Sequence, residues 1–389
     1  MKLVVRVKLL PTPVQVLALE ATLHACNEAA NWLSSQAFEK RVASRAGLQA
    51  LSYGELKARG LSAQPARHVL RKVADAYSTL KANLKAGHQG RPGSKRHTKA
   101  TGKSIAFRPQ AAQPFDDHCL SWQMPERTVS IWTTTGRIKS LAFAGSADQL
   151  SLLDAHRKGE SDLLCQDGQW YLIATCEIPE TTLNAHPAGF LGVDLGIVNI
   201  ASTSTGTRHS GRRMNRRREA DRTLRAKLQK KKTKPAERRA KKHAGKEACR
   251  ARDINHKISK SIVAEAQRTA RGIALEDLTG IRERARLRKA QRVTLRSWSF
   301  HQLGSFLACK AKRAGVPLVH VNPAYTSQEC SQCHHIDRRN RPAQDRFACR
   351  SCGFVEHADL NSSHNIAARG WWTWVRGAES QAPALIVIA

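Results

Sequence analysis

The sequence predicts a multidomain α/β protein, and three observations predict it. The first half carries β-branched and aromatic runs separated by turn residues, the second half carries two short apolar strands that each end in an acid, and a four-cysteine segment is inserted after them. At 389 residues the chain is long enough for two or three domains, each with its own core.

Residues 2–10, KLVVRVKLL, read as a strand by their β-branched content. Thr12-Pro13-Val14-Gln15 then reads as a capping box with proline at the first helical position. The helix that follows places Val16, Leu19, Leu23, Cys26, Ala30 and Leu33 on one apolar stripe. A second helix opens near Pro65 and buries Val69, Val73, Tyr77, Leu80 and Leu84. Its other faces show Arg67, Arg71, Lys72, Lys81 and Lys85, a pattern that fits a solvated face as well as a nucleic-acid contact. Residues 86–104 are rich in Gly and basic residues, have no periodicity, and read as a linker.

Beyond the linker the texture becomes β. Residues 128–132 and 137–143 flank Gly136, and residues 163–165 pair with 170–174 across Asp167-Gly168, a strong hairpin signal. A small barrel or sandwich follows from this spacing.

The second half starts near Pro187. Its insertion at 212–250 holds 18 Lys and Arg against four acids, and Leu224 and Leu228 are its only sizeable apolar residues after Met214. Such a segment cannot build a core of its own, so it is helical or partly disordered and lies along phosphates; Arg216, Arg217, Arg218, Lys230, Lys231 and Lys232 are its expected contacts. Ile254, Ile258 and Ile262 then mark a helix that packs one face on a sheet. After the second acid come a basic run at 282–296, a core helix through Phe300, Leu303 and Leu307, and a strand at 316–321. Residues 371–389 hold Trp371, Trp372, Trp374 and an apolar run at 384–388, better suited to capping a hydrophobic groove than to stacking bases.

Chemistry concentrates in three stretches. Cys330-x-x-Cys333 and Cys349-x-x-Cys352 are separated by fifteen residues. Thiolates two residues apart on a tight turn grip one face of a tetrahedral Zn²⁺, and a second such pair closes the coordination, leaving no open position for catalysis. His334, His335 and His357 lie nearby, but four cysteines already suffice. The strand FLGVDLGIVNIA carries Asp194, and GIALEDL carries Glu276. An acid within a buried strand costs several kcal/mol unless it is paired or binds a cation. With Asp359, seven residues after Cys352, three carboxylates are available for Mg²⁺ or Mn²⁺ ions about 3.5–4 Å apart, an arrangement suited to in-line attack on a phosphodiester.

Charge names the partner class. Lys and Arg number 65 against 31 acids, a formal charge of +34. A surplus of this size repels itself unless a polyanion neutralises it, so nucleic acid is expected, with binding that weakens steeply in salt. No run of about 18 apolar residues occurs and the first residues lack the apolar core of a signal peptide, so a soluble, cytoplasmic and nucleoid-associated protein without a membrane partner is expected. Six scattered cysteines outside the four-cysteine segment fit buried thiols in a reducing compartment.

Asp194 in GVDLGIVNIA, Glu276 in ALEDL and Asp359 in HADLNSSHNIA, with the four-cysteine segment between the second and third, resemble the split RuvC nuclease of the TnpB (OrfB) family. That family comprises RNA-guided DNA endonucleases encoded by insertion sequences and ancestral to type V CRISPR effectors. The likeness covers most of the chain and is strongest over residues 189–370. Two positions depart from it: His334 stands where Gly is frequent, and Ser362-Ser363 where Ala-Ala is frequent. A His tolerates the left-handed backbone region better than most side chains, so the knuckle survives.

The resemblance implies an RNase H-like RuvC nuclease with an inserted zinc ribbon, plus an N-terminal β-barrel wedge domain holding a helical recognition lobe. In this sequence these map to a first wedge strand at 1–10, the recognition lobe at 11–100, with Arg71 and Lys72 as nucleic-acid contacts, and the wedge domain at 101–186. The nuclease follows at 187–325, the ribbon at 326–357, the third nuclease motif at 358–370 and a tail at 371–389. Asp194, Glu276 and Asp359 would be catalytic ligands of Mg²⁺ or Mn²⁺, and Cys330, Cys333, Cys349 and Cys352 ligands of Zn²⁺. The partners implied are a guide RNA and target double-stranded DNA, with one chain per guide, and cleavage beside a short adjacent motif. A compact type V CRISPR effector and a guide-directed repressor are the alternatives; the latter expects a broken acid triad.

Overall fold

The computed structural model describes residues 1–278 and 300–381, with side chains as far as residue 377. The basic run at 282–296, Trp298 and the apolar tail at 384–388 lie outside the described residues. The chain divides into two compact units, Met1–Pro179 and Glu180–Ala389. Among the described residues no helix is long and apolar enough to cross a membrane.

In the first unit, β1 (Lys2–Leu9) leads into α1 (Pro13–Glu39) through the expected capping box: Thr12 Oγ1 accepts from the Gln15 N–H and Gln15 Oε1 accepts from the Thr12 N–H. The stripe of α1 buries Leu19, Leu23, Cys26, Ala30 and Leu33. Helices α2 (Arg45–Ala58) and α3 (Ala63–Lys85) pack beside it through Leu48, Leu56, Val69 and Val73. The segment read as a linker contains a short helix, α4 (Lys95–Thr101), started by Ser94, whose hydroxyl accepts from the His97 N–H.

Strands β2 (Gln113–Phe115), β3 (Leu120–Gln123), β4 (Thr128–Thr133), β5 (Gly136–Ala144), β6 (Arg157–Gln166) and β7 (Gln169–Glu177) join β1 in the order β2-β6-β7-β1-β5-β4-β3, with α5 (Ala147–His156) between β5 and β6. The β6–β7 turn forms at Asp167 and Gly168, both with positive φ, as two-residue hairpins require. The hydrogen-bonded ladder runs from β2 at one edge to β3 at the other. Its core gathers Val5, Val7, Leu9, Phe115, Ile131, Leu141, Leu163 and Leu172.

In the second unit, β8 (Phe190–Asp194), β9 (Asn199–Thr203), β10 (Arg208–Ser210), β11 (Gly272–Glu276) and β12 (Leu318–Val321) form a sheet of order β10-β9-β8-β11-β12. β8, β11 and β12 run parallel, and β9 and β10 antiparallel. Alternation along the strands assigns two faces. Leu191, Val193, Ile273 and Leu275 pack with Ile258 and Ile262 of α7 (Lys234–Arg268) and Leu303 and Leu307 of α8 (Phe300–Ala314). Phe190 and Ala274 point the other way, to Ile366 of α9 (Ala358–Gln381). Gly192 permits this packing, since a Cβ there would stand 1.9 Å from the Ser363 carbonyl oxygen.

The basic insertion is helical. α6 (Arg212–Lys230) and the first half of α7 pair with each other, and the expected separate helix over the isoleucines is the continuation of α7. Leu228 and Ala236 are buried, Met214 joins the core of the sheet, and a buried Asp221 accepts from Arg250 Nη2 at 2.6 Å with His243 Nε2 at 3.4 Å. Polar bonds thus supply the order that the sparse apolar residues do not.

Candidate metal centre

Asp194 and Glu276 are the last residues of two adjacent parallel strands. Val193 and Leu275 are partners across β8 and β11, so the two acids follow side by side. They share the parity of Phe190 and Ala274 and therefore face α9, whose first turn carries Asp359. Three residues widely separated in sequence meet because two parallel strands end together under one helix N-terminus.

Asp194 feels that convergence. Burial pushes the Asp194 carboxyl up to about 8, and the nearby charges of Glu276 and Asp359 add to it; Arg341 and the Leu195 N–H pull the other way. Burial also raises Glu276, against a hydrogen bond from Thr326 and the charge of Arg369. Asp359 accepts from Asn199 Nδ2 at 2.8 Å and stands 3.7 Å from Arg341 Nη2. A desolvated set of three carboxylates held by neutral donors and two guanidinium groups, Arg369 already paired with Glu329, is short of positive charge, and its all-oxygen donor set fits a hard divalent cation.

The four cysteines make a second, closed set. All four Sγ atoms lie within 4.8 Å of one another, a crowding that the three carboxylates do not share. Cys330 and Cys352 sulfurs are 3.7 Å apart and those of Cys333 and Cys349 3.5 Å. For a Zn–S bond of about 2.3 Å the tetrahedral S···S edge is about 3.8 Å. The spacing therefore fits one metal ion.

The two knuckles repeat one turn. The His334 N–H bonds the Cys330 carbonyl and the Gly353 N–H the Cys349 carbonyl, and both donors are left-handed, at φ +58° and +73°. His334 thus occupies the conformation that its place in the sequence demands. Burial pushes the Cys349 thiol up, but the N–H groups of Cys352 and Ser351 and the neighbouring thiols outweigh it and bring it down to about 6.

Buried asparagines that motif reasoning did not assign a role tie the cysteine segment to the acids. Asn340 donates to the carbonyls of Gln328 and His335 and accepts from the Arg350 N–H, bridging the two knuckles. Asn361 and Asn365 on α9 donate to the Glu329 carbonyl, and Asn365 also to that of Thr326. Thr326 in turn reaches Glu276. Their sequence signal was faint: polar residues at positions that a helix buries.

The expected nucleic-acid contacts divide. Arg216, Arg217, Lys230, Lys231 and Lys232 are exposed on α6 and its C-terminal turn. Arg218 is half-buried, and burial pushes its guanidinium down. Arg71 and Lys72 do not present free charge. Arg71 pairs with Glu160, and Lys72 Nζ donates to Asn27 Oδ1 at 2.6 Å and Gln113 Oε1 at 3.3 Å. Helical periodicity gives the face of a residue, but Lys72 has a stem long enough to turn its head inward.

Comparison with known proteins adds an independent line. Residues 174–280 match the family profile OrfB_IS605, described as a probable transposase, and residues 300–366 match the Cas12f1-like TNB domain. Over 114 residues the chain is 40% identical to the CRISPR-associated endodeoxyribonuclease Cas12f1 of Sulfoacidibacillus thermotolerans, covering 29% of this chain and 26% of that one. Over 226 residues it is 26% identical to the putative RNA-guided DNA endonuclease InsQ of Escherichia coli K12, covering 52% of this chain and 54% of that one. The chain thus spans about a quarter to a half of the length of these curated relatives. The solved structure of CasPhi-2 (Cas12j) bound to crRNA shares the fold at a TM-score of 0.51 and 10% identity, over 95% of this chain and 98% of that one.

Fold and comparison together define a multidomain protein that shares the fold of the CasPhi-2 structure. Over the matched segments the chain is similar to OrfB (TnpB)-type proteins and to Cas12f.

Proposed function

We propose that this protein is an RNA-guided DNA endonuclease of a transposable element, cutting DNA beside a short adjacent motif. The observation that carries the reading is the convergence of Asp194, Glu276 and Asp359 at one end of a mixed sheet, next to a four-cysteine segment. The strand order β10-β9-β8-β11-β12 and the acids at the ends of β8 and β11 support an RNase H-like, RuvC-type site.

Asp194, Glu276 and Asp359 would hold Mg²⁺ or Mn²⁺, which when bound supplies Lewis acidity toward phosphate oxygens and lowers the pKa of coordinated water. Asn199 keeps one oxygen of Asp359 occupied and so fixes which lone pairs face the centre. Thr326 does the same for Glu276. Cys330, Cys333, Cys349 and Cys352 would hold Zn²⁺, and by closing the ribbon they fix Thr326 and the base of α9. The exposed basic residues of α6 would lie along the phosphates of guide RNA or target DNA, with sequence read by base pairing.

A type V CRISPR effector would use the same residues, and the match of residues 300–366 to a Cas12f1-like domain supports it as the second reading. A repeat array beside the gene distinguishes the two. The deciding experiment purifies the protein from its native host, sequences the RNA that accompanies it, and offers DNA matched to that RNA with and without Mg²⁺. Mg²⁺-dependent cutting of matched DNA alone is expected; cutting that ignores the RNA sequence would overturn the reading.

A further inference from the structure

The first unit contains a second cluster of metal-ligating side chains, which the nuclease chemistry does not use. His68 lies on the inner side of α3 and is 3% exposed. Asp116 and Cys119 lie on the turn between β2 and β3, and a ligand atom from each of the three residues lies within 4.8 Å of the others.

The turn is rigid. The Asp116 carbonyl accepts from the N–H groups of Cys119 and Leu120 at 3.0 and 2.8 Å, and Asp116 Oδ1 accepts from the Cys119 N–H at 3.2 Å. Arg157 pairs with Asp117 at 2.8 Å, and the Trp132 N–H bonds the Cys119 carbonyl at 2.8 Å. Two ligand-bearing residues three apart on such a turn project to the same side, as in a cysteine knuckle, and Asp116 Oδ2 is left to face the imidazole.

That imidazole is poorly served by protein groups. His68 Nδ1 is buried without a hydrogen-bond partner, and Nε2 stands 3.4 Å from Asp116 Oδ2. Ordinary N–H···O bonds run about 2.7–3.2 Å. Two ligands on one tetrahedral Zn²⁺, with bonds of about 2.0–2.1 Å, sit about 3.3 Å apart. The observed gap matches the second value better than the first. Phe115 lies edge-on to the His68 ring at 6.4 Å, and besides Asp116 the charges felt by the imidazole are those of Glu160 and Arg71, which pair with each other.

We propose that His68 Nε2, Asp116 Oδ2 and Cys119 Sγ form a second zinc site that clips α3 to the β2–β3 turn. The donor set of one nitrogen, one oxygen and one sulfur is that of a borderline-soft ion such as Zn²⁺, and the Cys119 thiol proton leaves to solvent when the sulfur ligates. With three protein ligands the fourth position falls to water, and the partly exposed Asp116 gives it a path to solvent.

The test is zinc stoichiometry on the full chain, purified without added metal and measured by mass spectrometry. Two ions per chain are expected. Cys119→Ser and Asp116→Asn should each lower the count to one, and the asparagine keeps the Oδ1 acceptor that the turn needs. In a Cys330→Ser, Cys349→Ser background, which disables the ribbon, refilling with Co²⁺ should still give a thiolate-to-cobalt charge-transfer band, and adding Cys119→Ser should remove it. That second measurement needs no comparison of folded fractions. A wild-type chain with a single zinc that Cys119→Ser leaves in place, or a ribbon-disabled chain with no such band, overturns the proposal.

Discussion

Thr326 Oγ1 donates a hydrogen bond to Glu276 Oε1 at 2.5 Å. One residue thereby joins the start of the cysteine segment to the end of β11, and through its carbonyl to Asn365 of α9. Burial raises the Glu276 carboxyl and the Thr326 hydroxyl holds it down. A raised acid loses its charge as pH falls through its pKa, so removing the donor should move that loss to higher pH. Thr326→Val, close in shape, should lower cleavage about tenfold, near 1.4 kcal/mol, and shift the acidic limb of the pH–rate profile upward. Thr326→Ser should restore both. An unchanged profile in the valine variant would assign the hydroxyl a packing role only.

Gly192 sets the approach of α9 to β8. A methyl group there would stand 1.9 Å from the Ser363 carbonyl oxygen and 2.5 Å from the Ala367 nitrogen, both backbone atoms of α9. Neither can yield as a side chain would. Gly192→Ala should therefore cost about 3 kcal/mol or more and displace Asp359 from the other two acids. Urea denaturation monitored alongside cleavage checks this, and a variant of wild-type stability would contradict the close packing.

Lys72 gives a pH signature to the first unit. Burial lowers its amine to about 8, against about 10.4 in an unfolded chain. Between those values the unfolded chain holds the extra proton, so the contribution of Lys72 to stability should rise with pH from about 8 to about 10.4, by up to roughly 3 kcal/mol, against the opposite slope of buried thiols such as Cys26, which burial pushes up to about 12. Comparing urea midpoints of wild type and Lys72→Met across that range isolates the term. The rise should vanish in the variant, and its persistence would place the titrating group elsewhere.

The exposed basic residues of α6 and its C-terminal turn should speak through salt. Replacing Arg216, Arg217, Lys230, Lys231 and Lys232 by Gln should weaken nucleic-acid binding and flatten its dependence on log salt by up to about one unit per lost phosphate contact. A slope that does not change would leave this face to solvent.

The sequence made some of this legible and hid the rest for physical reasons. Cysteine spacing and strand-borne acids are local patterns, and Cys330, Cys333, Cys349 and Cys352 indeed close on one point. The convergence of Asp194 and Glu276 follows from period-two alternation once β8 and β11 are known to be neighbours. Helices α2 and α5 were missed, and α4 was read as linker, because short helices depend on caps such as Ser94 more than on periodicity. The insertion read as helical or partly disordered, and what orders it was hidden, since a buried Asp221 with Arg250 and His243 leaves no hydrophobic signature. The inward turn of Lys72 was not legible, because a charge at a helical position does not reveal that its head reaches Asn27.

The central claim is that Asp194, Glu276 and Asp359 form a cation centre that cuts but does not bind. Asp194 is the member under most strain, pushed up to about 8 by burial and its two acidic neighbours. Asp194→Asn keeps its shape and removes its charge. On DNA matched to the co-purified RNA, with Mg²⁺ present, the variant should bind as the wild type does, since phosphates and base pairs supply that affinity, while cleavage falls by orders of magnitude. Robust cutting by Asp194→Asn would contradict the account.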